Sequence, residues 1–265
     1  MDRLRIKILI GFFCLLSITS AFAEDDVSLA QQLTNPVADL ISVPFQFNYN
    51  THMNTQNTGH QTYMNFQPVI PFKINAQWLV ISRTIMPVID QLNIAPGTGT
   101  QFGLGDTLQE TFLSPSSGSV IWGVGPAIMI PTATNTLLGE GKWDTGPTGV
   151  VLEIIGPWTV GVLAYQIWSV AGNSARPAQS KAYVQPFLSY TTKTAWTLTL
   201  NSESTYDWEN HTLSAPINLL LTKLFRIGKL PVSVGGGFRY WAQTPNSGPK
   251  DFGARLVVTF LFPDH

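Results

Sequence analysis

Residues 41–50 read ISVPFQFNYN, a stretch in which every second residue is apolar. The apolar residues are Ile41, Val43, Phe45, Phe47 and Tyr49, and the residues between them are mostly polar. Successive side chains of a β-strand point to opposite faces, so this alternation predicts a strand with one apolar and one polar face.

The same alternation recurs along the rest of the chain. The predicted strands span residues 40–50, 61–73, 77–89, 103–113, 119–131, 142–154, 158–169, 180–190, 195–206, 211–223, 230–241 and 251–262. Short turns such as 75–76 and 156–157 alternate with longer loops such as 90–102 and 132–141. An even number of strands of about ten residues, with this loop asymmetry, is typical of an outer-membrane barrel. We therefore predict an all-β fold, a transmembrane antiparallel up-and-down β-barrel of about twelve strands with a short N-terminal helix.

The eight tryptophans support this interpretation, because each lies beside a predicted connection. Four follow short turns and four adjoin loops: Trp78, Trp122, Trp158 and Trp196, then Trp143, Trp168, Trp208 and Trp241. Indole prefers the membrane interface, where its ring is apolar and its N–H finds a partner. Eight core tryptophans of a soluble protein would not be sorted by loop type. We predict that all eight form an aromatic girdle.

The two ends of the chain predict the domain boundaries and the partners. A basic start, an apolar run and a small-residue site predict a signal peptide over 1–23. A helical segment is expected over 24–39, either inside the lumen or in the periplasm, followed by the barrel over 40–265. The final alternating strand, 251–262, implies the barrel-assembly machinery as a partner, along with outer-membrane lipids. The expected location is the cell outer membrane of a Gram-negative bacterium.

The composition excludes nucleic-acid binding, and the prolines need special positions in the predicted strands. Charged residues make up 12% of the chain, and 15 Lys+Arg against 16 Asp+Glu leave no basic excess for nucleic-acid binding. Prolines lack the N–H that a strand ladder needs, so those inside strands are expected at bulges or near a rim. The prolines concerned are Pro44, Pro68, Pro71, Pro126, Pro131, Pro186 and Pro216.

Charged side chains are expected to face the lumen or its rims, because Lys or Arg facing lipid at the midplane costs about 2–4 kcal/mol. The lumen and pore candidates are Lys73, Arg83, Asp106, Glu110, Glu203, Arg239 and Arg255. Alternation leaves the facing of Asp106 and Glu110 ambiguous. Two interpretations stay open: these charges select small-molecule solutes in a pore, or they pair with one another and fill a closed lumen.

Signals for catalysis or metal binding are weak. The chain has four histidines, and no predicted cluster has the donors that a metal site needs, so no metal, cofactor or enzymatic activity is expected. One alternative is an outer-membrane lipid-modifying enzyme that uses His211 with Ser202 or Ser204. Another is a sealed structural or adhesion barrel whose long loops bind a partner.

Several segments together resemble the outer-membrane barrel family named for the MetA pathway of phenol degradation. They include residues 40–46 (LISVPFQ), 122–127 (WGVGPA), 131–134 (PTAT), 156–158 (GPW), 185–187 (QPF), 205–208 (TYDW) and 260–263 (FLFP). The resemblance covers essentially the whole chain after the predicted signal peptide. It implies a porin-like channel or transporter for small, aromatic or hydrophobic solutes. The resemblance assigns a catalytic or binding role to no residue of this chain.

Overall fold

The first and last strands of this protein pair with each other, which closes its single β-sheet into a barrel. The structure, a computed structural model, describes residues 25–263, so the predicted signal peptide lies outside the described residues. The closing ladder runs from Ile41 opposite Phe262 to Tyr49 opposite Ala254. All neighbouring strands are antiparallel, and closure leaves no edge with unpaired backbone groups.

Twelve strands build the barrel, and three of them are interrupted. Their bounds are β1 Ile41–Met53, β2 Gly59–Phe66 with Val69–Lys73, β3 Trp78–Leu92, β4 Thr100–Leu104 with Thr107–Pro115, β5 Val120–Ile130, β6 Lys142–Ile155, β7 Trp158–Gly172, β8 Ser180–Thr191, β9 Trp196–Ser202 with Ser204–Asp207, β10 Thr212–Ile227, β11 Leu230–Gln243 and β12 Asp251–Phe262. A short helix, α1, spans residues 25–32. The predicted all-β class, strand number and antiparallel barrel are confirmed.

The outer face of the barrel is apolar. Leu198 and Leu200 on β9 and Leu219 and Leu221 on β10 are each 45–46% exposed. A continuous exposed apolar surface of this kind suits lipid rather than water. The protein is therefore an outer-membrane barrel. No helix within residues 25–263 is long and apolar enough to span a membrane.

The two ends of the barrel differ in their connections. One end carries turns of two to four residues, such as 156–157 and 192–195, and we call it the short-turn end. The other carries longer loops, such as 131–141 and 173–179, and we call it the long-loop end. In outer-membrane barrels short turns face the periplasm and long loops face the exterior.

Most of the strand prolines lie where the ladder is weak, as expected. Pro68 separates the two segments of β2, Pro131 follows the end of β5, and Pro216 lies at a register shift in β10. Pro126 lies at a gap in the β4–β5 ladder, while Pro44 and Pro71 lie near the short-turn end. For Pro186 the expectation is wrong, because this residue lies in the middle of β8, where the ladder with β7 has no register shift. It is accommodated by an interruption in the neighbouring strand β9, described below.

Seven of the eight tryptophans lie on the outer face of the barrel near its rims. Trp78 and Trp122 meet edge to face with centroids 6.0 Å apart, and the Lys223 ammonium lies 5.8 Å from the Trp196 ring centroid. The remaining outward rings are Trp143, Trp158, Trp168 and Trp208, each 43–51% exposed. These positions match the interface where indole is most favourable.

Trp241 departs from the predicted girdle and faces the lumen. Its Nε1–H donates to Asn50 Oδ1 at 3.2 Å, and Asn50 is only 3% exposed. Trp241 shares the inward face of β11 with Arg239, whose guanidinium lies 5.4 Å from the indole centroid. The neighbouring Tyr240 takes the outward position, where it contacts Phe252 with ring centroids 5.0 Å apart.

Candidate functional site: the barrel lumen

The inner face of the barrel is apolar on one side and polar on the other. Inward side chains of β3, β4, β6, β7 and β8 form a packed apolar cluster, made of Leu79, Ile81, Phe112, Val150, Leu152, Leu163 and Phe187. The opposite wall presents Asn48, Asn218, Arg239, Arg255 and Thr259, all 5% exposed or less. This asymmetry leaves free space mainly along the polar wall.

Two arginines share one carboxylate at the centre of the polar wall. Arg255 donates through Nη1 to Glu203 Oε1 and through Nη2 to Glu203 Oε2, both at 2.7 Å. Arg239 Nη2 also donates to Glu203 Oε2. Asn48 Oδ1 accepts from Arg255 Nε, and Asn218 Oδ1 accepts from Arg239 Nε, both at 2.8 Å. Charge-assisted and bidentate bonds of this type hold buried guanidinium groups in place.

Two prolines lie opposite the interruption in β9 at Glu203. Glu203 lies between the two segments of β9, where the regular ladder is interrupted. Extending the neighbouring registers places Pro216 of β10 opposite Glu203 and Pro186 of β8 opposite the adjacent Ser202. Because proline cannot donate to the ladder, pairing fails on both sides of β9 at this level. The register is the same on both sides of the interruption, so Glu203 keeps the inward phase of Asn201.

A second ion pair lies on the opposite wall. Arg83 Nη1 donates to Glu110 Oε2, and Thr148 Oγ1 donates to Glu110 Oε1 at 2.8 Å. Glu110 is fully buried between the inward-facing Leu108 and Phe112, which settles its ambiguous facing. Tyr165 and Tyr183 stack beside this pair with centroids 4.8 Å apart and planes 10° from parallel.

The two ion clusters together contain more arginines than carboxylates. Arg83, Arg239 and Arg255 face two carboxylates, Glu110 and Glu203, which leaves these two clusters with one excess positive charge. Each of the five charges has a partner. The arrangement matches the interpretation in which paired charges obstruct the lumen.

The N-terminal segment enters the lumen from the short-turn end. We call residues 25–40 the plug segment. Leu29, Ala30, Ala38 and Leu40 of this segment pack against inward side chains that include Leu224 and Leu261. Of the two positions that the sequence left open for the helix, the structure shows the one inside the barrel mouth.

Polar contacts also tie the plug segment to the barrel wall. Arg226 Nε donates to Asp26 Oδ1 at 2.7 Å, and Gln31 Nε2 donates to Gly156 O at 2.7 Å. Thr34 Oγ1 donates to Thr159 Oγ1 at 2.9 Å. The plug segment is thus held by buried apolar side chains together with hydrogen bonds and ion pairs to the wall.

Lys73 and Asp106 lie at the rims, apart from the ion clusters. Lys73 pairs with Asp39 of the plug segment at 3.2 Å, near the short-turn end. Asp106 accepts hydrogen bonds from the backbone N–H groups of Ala133 and Glu140, at 3.1 and 2.6 Å. Asp106 therefore anchors loop 131–141, and its role is to hold the long-loop end in place.

The same loop covers part of the long-loop end. Arg176 Nη2 donates to Thr136 O at 2.7 Å, and Arg176 Nε donates to Glu140 O at 3.1 Å. Gln91, which is 2% exposed, donates through Nε2 to Leu137 O at 2.9 Å. The lumen is thus bounded by the plug segment at one end and by loop 131–141 at the other.

A cavity of about 220 Å³ lies between the plug segment and Arg83. Amide and hydroxyl side chains of β1, β8, β9, β11 and β12 line it together with apolar side chains such as Leu40, Phe187 and Leu224. Sequence reasoning missed this cavity, although the polar members of each alternating pair already pointed inward. It also missed Asn48, Asn218 and Tyr63, which complete the contacts of the two arginines.

The residues considered for catalysis do not form a catalytic arrangement. Ser202 and Ser204 hydrogen bond to each other at 2.8 Å, and Ser202 Oγ also donates to Pro216 O at 2.7 Å. His211 lies in the turn after β9 and takes part in neither bond. Within the part of the chain that the structure describes, no group of three or more His, Cys, Asp or Glu residues could hold a metal ion.

Comparison with known proteins gives a likeness of fold. No protein-family model matches the chain, and no curated protein matches it in sequence. The COG4313 outer-membrane channel of Pseudomonas putida F1 is similar with a TM-score of 0.66 and 14% identity, over 84% of this chain and 96% of that one.

Two further solved barrels are less similar. The outer-membrane phospholipase A of Escherichia coli has a TM-score of 0.44 and 12% identity, over 84% of this chain and 96% of that one. The β-domain of the Bordetella autotransporter BrkA has a TM-score of 0.46 and 8% identity, over 84% of this chain and all of that one. The likeness to the Pseudomonas channel concerns the fold, and these two are too weak to carry an argument.

Proposed function

We propose that this protein is a gated outer-membrane channel for small polar solutes. The observation that carries the proposal is a cavity within the lumen, lined by both polar and apolar side chains, between the plug segment and a layer of paired charges. A barrel that served only as a structural element would gain nothing from polar free space inside. Passage requires the plug segment to leave and the ion clusters to rearrange.

The fold of the Pseudomonas putida channel supports a transport role by analogy. Membership of the MetA-pathway family rests on the sequence resemblance alone, as do aromatic or hydrophobic solutes. Amide and hydroxyl side chains of the lining that have no partner among the described residues, such as those of Gln46 and Ser233, support polar solutes, while Leu40, Phe187 and Leu224 give the same cavity an apolar part. Phenolate and benzoate, tried as current blockers, would test the aromatic proposal directly.

The decisive experiment is planar-bilayer conductance of the refolded protein, compared with a variant that lacks residues 25–40. We expect brief current steps from the intact chain and a larger, steady current from the shortened one. Both proteins must first show the heat-modifiable migration and strand circular dichroism of a folded barrel. A folded shortened variant that carries no current would contradict the proposal.

One alternative keeps a specific observation in its favour. All five central charges are paired and both ends are covered, as expected for a sealed structural barrel. A sealed barrel would conduct only after removal of the plug segment, whereas a gated channel opens with the segment present. Current from the intact chain therefore separates the two.

Recognition of β12 by the barrel-assembly machinery is a further proposal, tested by deleting residues 251–262 and following insertion.

A further inference from the structure

We infer that the lumen cavity is a binding chamber for an uncharged solute that carries several hydroxyl or amide groups, of about monosaccharide size. The inference rests on the proposed channel function and names the class of solute that the same lumen would admit. The cavity, of about 220 Å³, is bounded by the plug segment below and by Arg83 above.

Amide side chains provide hydrogen-bonding groups on several sides of the chamber. Gln46, Gln67, Gln185 and Asn201 line it from four different strands or connections. The side chains of Gln46 and Gln67 make no hydrogen bond to the described protein residues, and the amide nitrogens of Gln185 and Asn201 donate to none. Each amide offers both a carbonyl acceptor and N–H donors, which suits hydroxyl groups of a solute.

Two buried hydroxyls strengthen the argument. Ser233 and Thr259 lie opposite each other on β11 and β12 and are only 6% and 5% exposed. Neither hydroxyl bonds to a described protein atom, yet neither is sealed off from the cavity space. Buried polar groups are normally satisfied by a partner, so these hydroxyls point to water or a ligand inside the chamber.

The charge of the lining decides between classes of solute. Among the described residues, Arg83 is the one charged side chain on the chamber wall, and it is already paired with Glu110. A charged solute would lose its hydration without meeting a free opposite charge, which is unfavourable. An uncharged solute exchanges its hydrogen bonds with water for bonds to the amides and hydroxyls. The chamber therefore favours neutral solutes.

Equilibrium dialysis with three ring sugars of similar size tests the inference. The probes are labelled glucose, glucuronate and glucosamine, at a slightly acidic pH where the amine is protonated. Each is present while the full chain refolds in detergent, so that entry past the plug segment does not limit binding. We expect glucose to bind at least about tenfold more tightly than either charged analogue.

A double variant reports whether the probe occupies this chamber. Ser233→Ala with Thr259→Val removes two hydroxyls while nearly keeping their shape, and we expect glucose binding to weaken about tenfold. Thr55→Val, in an exposed turn at the long-loop end, is the matched control and should leave binding unchanged. Strand circular dichroism and heat-modifiable migration confirm that each variant is folded.

The outcomes separate this inference from the channel proposal. Preferred binding of glucuronate or glucosamine, or no glucose binding up to about 0.1 M, would overturn the inference, and in the latter case the chamber holds water only. Glucose binding that the double variant leaves intact would also overturn it. Glucose binding without any current from the intact chain would overturn the channel and leave the binding chamber standing.

Discussion

Arg255 and Glu203 meet side by side at the centre of the lumen, with two parallel N–H···O bonds of 2.7 Å each. Glu203 comes from an interrupted strand and Arg255 from the closing strand, so this pair joins distant parts of the chain. The same carboxylate also pairs with Arg239. One carboxylate thus pairs with two buried guanidinium groups at the centre of the lumen.

Glu203→Gln should destabilise the barrel strongly, because it leaves Arg239 and Arg255 buried without a counter-charge. Removing one partner of a buried ion pair costs about 3–5 kcal/mol. The measurement is the urea dependence of unfolding in a lipid or detergent in which the barrel folds reversibly. Glu209→Gln, in an exposed turn at the long-loop end, is the control. Equal stability of the two variants would show that the central pairs contribute little.

The Arg83–Glu110 pair should behave as a unit. Glu110→Ala alone is expected to cost about 3–5 kcal/mol, because Arg83 keeps its charge in an apolar surrounding. Arg83→Met combined with Glu110→Leu should recover most of that loss, because replacing both buried charges by apolar groups is often neutral. A double-mutant cycle of unfolding free energies measures the coupling. Additive effects would contradict the expectation.

Locking the plug segment should stop current. Thr34→Cys with Thr159→Cys replaces two side chains whose hydroxyls lie 2.9 Å apart, so that a disulfide can join the plug segment to β7. In the chain without residues 1–23, which contain the one native cysteine, oxidation should abolish current steps and reduction should restore them. Each single cysteine variant is a control for oxidation elsewhere. Unchanged current in a fully oxidised double variant would exclude movement of the plug segment as the gate.

Trp241 should be shielded from lipid, unlike the outward tryptophans. We expect Trp241→Phe to remove fluorescence that brominated lipids do not quench, so that the quenched fraction rises. Trp168→Phe, which removes an outward ring that is 48% exposed, should lower that fraction. Steady-state fluorescence in vesicles with and without brominated chains gives both values. A fall in the quenched fraction for Trp241→Phe would place this ring on the lipid side.

Local alternation was enough to predict the barrel and most of its orientation. Stretches such as residues 41–50 specify a strand and the face that meets lipid, because side-chain direction alternates regardless of the partner strand. The same rule could have placed Trp241 correctly. Tyr240 and Phe238 are exposed on the outer face, so Arg239 and Trp241 between and beside them face the lumen. Proximity to a loop was the weaker signal.

Contacts across the lumen could not be predicted in the same way. Tyr63, Glu203, Arg239 and Arg255 come together only after closure and register have set which inward positions lie at one level. The break at Glu203 depends on two prolines in neighbouring strands, which are far apart along the chain. Within either strand alone, each proline only marks a position that lacks an N–H donor for the ladder.

Short-range periodicity and the preference of side chains for lipid or water were enough to predict the twelve alternating strands and the apolar outer face. The place of the plug segment inside the barrel, the pairing of the five central charges and the cavity between the plug segment and Arg83 emerged only in the folded chain. These features depend on distances across the lumen, which are fixed by closure of the sheet rather than by any local pattern.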